Sequence, residues 1–277
     1  MQKTKIILFS LIIFCFASIG AFAQTSNLVK RDLSQAEIDR IVKSFTANEK
    51  AFREALTGYV FNRSASIHTV GMGGQISGTY RRDSFLNLLP DGKRVEKILY
   101  APIPTITEIT ITPADIDNLS GVDQFAIDPT VASQYNFTFA GMEKIDELNL
   151  YVFNVAPKIA LDPKKTKQHF FAGRIWVDER DLMIVKSKGK AVPEQKNERF
   201  PIIETWRENV GGKYWFPSYA SADDELVFDA GNVVKVKVRI KYTNYAEGKS
   251  EVRILDDEEE VKDVSPQPKP SPTPKKP

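Results

Sequence analysis

Cysteine is almost absent from this chain. There is one, Cys15, among 277 residues, and it lies in an apolar N-terminal run. The rest therefore has no thiol nucleophile and no thiolate metal site. It also lacks the disulfides on which many exported domains rely. Histidine is nearly as scarce. His68 and His169 stand about a hundred residues apart, whereas a zinc site needs several His or Cys ligands at set spacing. No charge of either sign dominates. Lys and Arg number 38 against 36 Asp and Glu, so there is no electrostatic footprint for nucleic acid. Neither a phosphate-cradling G-x-x-x-x-G-K-[ST] loop nor a G-x-S-x-G elbow is present. Ser187-Lys188-Gly189-Lys190 matches S-x-x-K by letters only. It falls at a strand end and lacks the S-D-N and K-T-G partners. Glu204 and Glu208 flank Trp206 on one strand, and Asp223, Asp224 and Glu225 cluster in a turn. Two carboxylates beside an aromatic leave glycoside hydrolysis as a remote alternative. The expectation is a protein that is not an enzyme, with no cofactor and no metal.

What is present begins with an export signal. Lys3 and Lys5 precede the apolar run Ile6–Ile19, and Ala21-Phe22-Ala23 forms a small-x-small cleavage site before Gln24. The run is shorter than the ~20 residues a spanning helix needs. Residues 1–23 are read as a signal peptide, and the mature product as soluble and periplasmic. Removing 23 of 277 residues leaves 254, and takes two of the 38 cations with them, leaving 36 against 36 acids. Gln24 rather than Cys follows the cleavage site, so lipidation is not expected. Residues 24–255 suffice for one all-β domain. In 256–277 an acidic run, Asp256–Glu260, gives way to a stretch in which six of the twelve residues Pro266–Pro277 are proline. That tail should be extended polyproline II.

One helix is well signed. Ser34-Gln35-Ala36-Glu37 is a capping box, with Leu33 and Ile38 as its hydrophobic staple. Ile38, Ile41, Val42, Phe45, Phe52 and Leu56 repeat at helical spacing, a stripe suited to covering a sheet. A short second helix is expected at Pro113–Leu119, with Pro in its first turn. From Tyr59 the period is two. Eleven strand-like runs follow: Tyr59–Thr69, Gln75–Leu89, Arg94–Ala101, Ile106–Ile111, Tyr135–Ala140, Leu148–Val155, Phe170–Val177, Leu182–Lys186, Ile202–Glu208, Tyr214–Tyr219 and Val233–Tyr245. Turn chemistry separates them, as in Pro90-Asp91-Gly92 and Gly211-Gly212. Such a pattern predicts a sandwich or a curled, partly closed barrel.

The strands differ in their faces. In the last, Val234, Val236, Val238 and Ile240 alternate with Lys235, Lys237, Arg239 and Lys241, so one face is wet. The lysine row reads as solvated, and would also guard an edge strand against pairing. In Leu148–Val155, Leu150 and Val152 take one side and Tyr151, Phe153 and Val155 the other. The hairpin Phe170–Lys186 is apolar on both faces as well. With Glu179-Arg180 as a two-residue loop, Val177 would oppose Leu182, Trp176 Met183 and Ile175 Ile184. Such strands are covered on both faces, or covered on one and open to an apolar ligand. The second alternative makes Tyr151, Phe153, Ile175, Trp176, Ile184, Trp206 and Trp215 candidate ligand-binding residues. It also predicts that Trp176 or Trp215 lines a cavity between helix and sheet.

These residues carry a resemblance. Phe171-x-Gly173-x-Ile175-Trp176-Val177-Asp178 and Ile184-Val185-Lys186 resemble the outer-membrane lipoprotein-sorting proteins. So do Tyr151-x-Phe153-x-Val155-x-Pro157-Lys158 before them and Trp215-Phe216-Pro217-Ser218-Tyr219 after them. That family is the LolA-like superfamily, with LolB and the regulator RseB. The resemblance spans Leu148–Tyr245. It implies a mainly β, curled antiparallel half-barrel of about eleven strands, covered by helices, whose concave face holds acyl chains of a lipid or lipoprotein in the periplasm. The RseB-like members imply an alternative, an envelope interaction or stress-sensing module that binds a protein segment.

Overall fold

The computed structural model describes residues 28–88, 94–112, 115, 127, 129–165, 168–195 and 198–248. The expected signal peptide, the C-terminal tail and all but Asp115 of the helix expected at Pro113–Leu119 lie outside the described residues. The fold is mainly antiparallel β. Helix α1, Gln35–Leu56, comes first. Strands β1 Tyr59–Val70, β2 Ile76–Leu88 and β3 Arg94–Tyr100 follow. After the one-turn helix α2, Pro129–Ala132, come β4 Tyr135–Ile145, β5 Leu148–Pro157, β6 Phe170–Asp178, β7 Ile184–Val192, β8 Ile203–Val210, β9 Tyr214–Val227 and β10 Val233–Glu247. These ten strands form one open sheet in the order β3-β2-β1-β10-β9-β8-β7-β6-β5-β4. It is a half-barrel, the form that the resemblance implies and one of the two that the strand pattern allows.

Ile106–Ile111 is not a strand. Pro102 and Pro104 remove ladder donors just before it. The segment crosses the sheet as a strap, and Ile106, Ile109 and Ile111 pack down onto the sheet's inner residues. Thr105 donates its N–H to the carbonyl of Thr79 at 2.9 Å.

Helix α1 starts where the capping box places it. The Ser34 hydroxyl accepts from Glu37 N–H at 3.3 Å, and Glu37 returns a carboxylate to Ser34 N–H at 2.9 Å. Its buried stripe bridges two parts of the concave face. Ile41 and Phe45 meet Phe153, Phe171 and Ile175, while Phe52 and Leu56 meet Phe61 and Phe216. Each such side chain contributes about 1.5–3 kcal/mol on burial.

The β6–β7 hairpin differs from the two-residue loop expected. Val177 pairs with Ile184, Trp176 with Lys186 and Ile175 with Ser187. The loop runs Glu179–Met183 because Asp178 organises it. Its Oδ2 accepts from the N–H groups of Arg180 and Asp181, both at 3.3 Å. Leu182 closes the loop at φ 55°, a conformation uncommon outside glycine. Gly173 pairs with Gly189. A Cβ on Gly173 would lie 2.2 Å from the Lys188 carbonyl, so the glycine of the hairpin motif reflects a backbone contact that a side chain would block.

Strand β10 is internal, bonded to both β1 and β9. Its lysines therefore guard no edge. Lys235 and Lys237 instead face Glu225 and Asp223 on the outer surface, at 2.9 and 3.8 Å.

Candidate ligand cavity

Side-chain size along the concave face decides where space is left. On β4–β6 the inward residues are Phe137, Phe139, Tyr151, Phe153 and Phe171, and they close against Ile41 and Phe45. The Phe45 ring meets Phe137 edge-on at 5.4 Å and Phe153 at 5.8 Å. On β7–β9 the inward residues include Ser187, Gly189, Ala191, Thr205 and Ala220. Side chains this small cannot reach the opposite wall. A cavity of about 640 Å³ results, within the range typical of a small-ligand site.

Its floor is apolar: Ile67 of β1, Ile175 and Ile184 from the β6–β7 hairpin, and Val236, Val238 and Ile240 of β10. The strap residues Glu108–Thr112 form its roof. The cavity runs from a polar end, near Glu108, Glu198, Arg199 and Asn232, to an inner end at Arg207 and Tyr242. Burial pushes the Tyr242 phenol up to about 12, so it stays neutral.

Arg207 closes the inner end. Its guanidinium grips Glu49 of α1 bidentately, at 2.5 and 3.0 Å, and lies 4.4 Å from the Phe52 ring centre. Glu49 is 0% exposed. The pair ties the helix to the cavity wall, and the geometry is the bidentate one that strengthens charge-assisted hydrogen bonds. At the polar end, Glu108 anchors the strap. It accepts from Ser77 Oγ at 2.5 Å and Thr69 Oγ1 at 3.1 Å. The Ser77 hydroxyl, then the backbone N–H of Thr107, hold its carboxyl down at about 2.

The seven candidate residues divide. Ile175 and Ile184 line the cavity. Tyr151 and Phe153 share the concave face but are packed into the aromatic wall beside it. The three tryptophans lie on the opposite face. Trp176 packs with Leu150, Val152 and Val185, and Trp215 joins them. Trp206 alternates with the cavity residues Thr205 and Arg207, so it points away. Each indole N–H ends on a carboxylate: Trp176 on Glu143 at 2.6 Å, Trp206 on Glu204 at 2.9 Å and Trp215 on Asp181 at 2.8 Å. Lys186 lies between two of them, 4.7 Å from the Trp176 ring centre and 4.1 Å from that of Trp206.

The expectation that Trp176 or Trp215 lines the cavity is thus corrected. Strands β5 and β6 are covered on both faces. The bridge Val29↔Met142 brings Leu28 onto the outer one. The open space lies beside them, under the strap rather than under α1. Glu204 of the carboxylate pair is engaged by Lys186 at 3.2 Å and Lys188 at 3.6 Å. Among the described residues no group of three or more His, Cys, Asp or Glu could hold a metal ion.

What sequence reasoning misses is the role of small residues. The signal is there in Ser187, Gly189 and Ala191, and in Ala220 and Ala222, spaced by two on adjacent strands. The apolar face of β10 is legible in its alternation, but nothing local places it opposite them.

No protein-family model and no curated protein matches the chain. Among solved structures it is similar to a DUF1329 family protein from Desulfovibrio piger, with 14% identity and a TM-score of 0.35, over 74% of this chain and 93% of that one. It is similar also to the LolA superfamily protein NE2245 from Nitrosomonas europaea, with 13% identity, a TM-score of 0.34, and 75% and 94% coverage. A third is MucB, with 10% identity, a TM-score of 0.24, and 75% and 92% coverage.

Proposed function

We propose that this protein is an exported, periplasmic binding or carrier protein for the acyl chain of a lipid or lipoprotein. The observation that carries this reading is the 640 Å³ cavity with its apolar floor on β1, β6, β7 and β10. Burying an acyl chain there is favourable by about 25 cal/mol per Å² of apolar surface, offset by association and ordering costs. The proposed mature chain starts at Gln24, folds over residues up to about 255, and carries the Pro-rich tail beyond. Among the described residues no helix is long and apolar enough to cross a membrane.

The test uses a fluorescent fatty-acid analogue titrated into the purified protein. Saturable one-to-one binding is expected, lost in Ala220→Phe, whose ring would occupy the cavity. Bound ligand should raise the melting midpoint by mass action, worth about 2.7 kcal/mol at a hundredfold excess over Kd. Intrinsic tryptophan emission should change little, since all three indoles face away. Binding that survives Ala220→Phe unchanged would overturn the reading. A periplasmic product whose N-terminal peptide begins at Met1 would overturn its export component.

A further inference from the structure

The two ends of the sheet differ in what their turns expose. Each strand runs antiparallel to its neighbours. The β1–β2 and β9–β10 turns, the β5–β6 loop and the β7–β8 connection therefore share one end. Six large apolar side chains are exposed there. Met72 and Ile76 belong to the β1–β2 turn, Ile159 to the β5–β6 loop, and Ile202 precedes β8. Val227 and Val233 pair across the β9–β10 turn. Met72 is fully exposed, on the tip Gly71-Met72-Gly73-Gly74. At the opposite end the described turns are Thr57-Gly58, Asp146-Glu147, Glu179–Met183 and Gly211-Gly212-Lys213. None of them exposes a large apolar side chain. The remaining exposed apolar side chains lie elsewhere, along and just past the edge pair β2–β3 and at Val29.

The cavity reaches the surface at the apolar end. Its polar residues Glu198 and Arg199 belong to the β7–β8 connection, and Asn232 to the β9–β10 turn. Strand order places both connections between Met72, beyond β1, and Ile159, beyond β5. Six strand spacings of ~4.8 Å separate those two tips, roughly 29 Å along the sheet. Exposed polar residues, Gln75, Asp229 and Asn232, stand between the apolar ones. A stable dimer buries about 800 Å² of one complementary surface on each partner, and scattered tips do not supply it. A fluid bilayer has no fixed shape to match, so each tip can bury itself separately. Around Ile159, Lys158, Lys164 and Lys165 are exposed, and Asp162 is the one acid among the described residues of that loop. Clustered lysines favour anionic headgroups.

We propose that this end docks on a lipid bilayer, with Met72 and Ile159 entering it on either side of the cavity mouth. The proposal rests on the acyl-binding reading and deepens it. The docked mouth faces the lipid, so an acyl chain passes between membrane and cavity without crossing bulk water.

The test is flotation of the purified protein with vesicles, two parts phosphatidylcholine to one part phosphatidylglycerol. Wild type should float with them. Met72→Ser combined with Ile159→Ser should weaken binding by about tenfold or more, since burying one such side chain is already worth that much. Lys158→Gln with Lys164→Gln should bring binding down to the level seen with phosphatidylcholine alone. Val95→Ser with Leu99→Ser, on the edge strand, should float as wild type does. All four substituted sites are exposed, and an unchanged melting midpoint checks that each variant is folded. Wild type that stays unbound, or a rim variant that floats as wild type does, would overturn the proposal. So would loss of flotation in the edge-strand variant alone. A concentration-dependent dimer abolished by Met72→Ser with Ile159→Ser would assign the rim to a second copy and overturn it too. The fluorescent fatty-acid titration, run without vesicles, separates the two readings. If wild type and the rim variant bind the analogue equally, a flotation failure falls on docking alone. If neither binds it, the acyl-binding reading fails instead.

Discussion

The two halves of the concave face are built from the same strand alternation and reach opposite ends. On β4–β6 the inward positions hold phenylalanine and tyrosine, and α1 seals them into a wall of rings. On β7–β9 they include a patch of small residues, Ser187, Gly189, Ala191, Thr205 and Ala220, and a cavity remains there. Interiors close-pack where side chains reach each other. A void of this size persists only where they cannot, and where a roof keeps the walls apart. The strap Ile106–Thr112 is that roof. Hydrophobicity alone does not separate the halves; side-chain volume does.

The sharpest way to break the comparison is to empty the filled half. Phe153 is 0% exposed and packs between Phe45 and Phe139. Phe153→Ala should cost about 3–5 kcal/mol, as large-to-small core changes do. Urea denaturation measures it. Acyl binding by the folded fraction should persist, because Phe153 does not line the cavity. A cost below about 1 kcal/mol, far under that range, would show the aromatic wall to be loosely packed.

The joint between the halves comes next. Arg207→Leu leaves Glu49 buried without its partner, which should cost about 3–5 kcal/mol. Replacing both, Glu49→Leu with Arg207→Leu, should recover most of the loss, since the destabilisation comes from the orphaned charge. A double variant no better than the single one would mean that the pair itself holds α1 in place.

Most of this frame is legible in the chain. The capping box Ser34–Glu37 marks the start of α1, and ten of the eleven strand-like runs fall on strands. Ile106–Ile111 misleads because its β-branched alternation is outweighed by Pro102 and Pro104, and because its isoleucines find the sheet's inner face instead of its edge. The site is less legible. Large aromatics draw attention as ligand contacts, yet here Tyr151 and Phe153 fill the core and the tryptophans cover the outer face. A cavity is made by what is missing, and small residues leave a faint trace until strand order places Ser187 beside Thr205 and Thr205 beside Ala220.

A smaller effect tests the helix that seals the filled half. Ser34→Ala removes the hydroxyl that accepts from Glu37 N–H, and caps of this kind are worth about 1 kcal/mol. The denaturation midpoint should shift with an unchanged slope. An unchanged midpoint would mean that the first turn of α1 adds nothing to the docked state.

The smallest effect concerns the roof of the open half and is confined to acid. Glu108 titrates at about 2 in the folded protein, against an ordinary 4.5. A carboxyl lowered by folding stabilises the state that lowers it. Its contribution is fully present above pH 4.5 and is lost as pH falls through 2. Glu96 titrates at about 2 as well: burial acts to raise it, but hydrogen bonds from Arg82 and Ser84 and the charge of Arg63 prevail. Acid unfolding of the wild type therefore reports both groups, and Glu108→Gln isolates one. At pH 7 the variant should show faster hydrogen exchange at the Thr105 amide, which bonds to Thr79, with little change at the Phe153 amide in the filled half. The difference from wild type should shrink below pH 4.5 and vanish once pH has fallen through 2. A difference that persists undiminished at the acid end would mean that the substituted amide perturbs the strap by shape, and that the charge of Glu108 does not hold the roof.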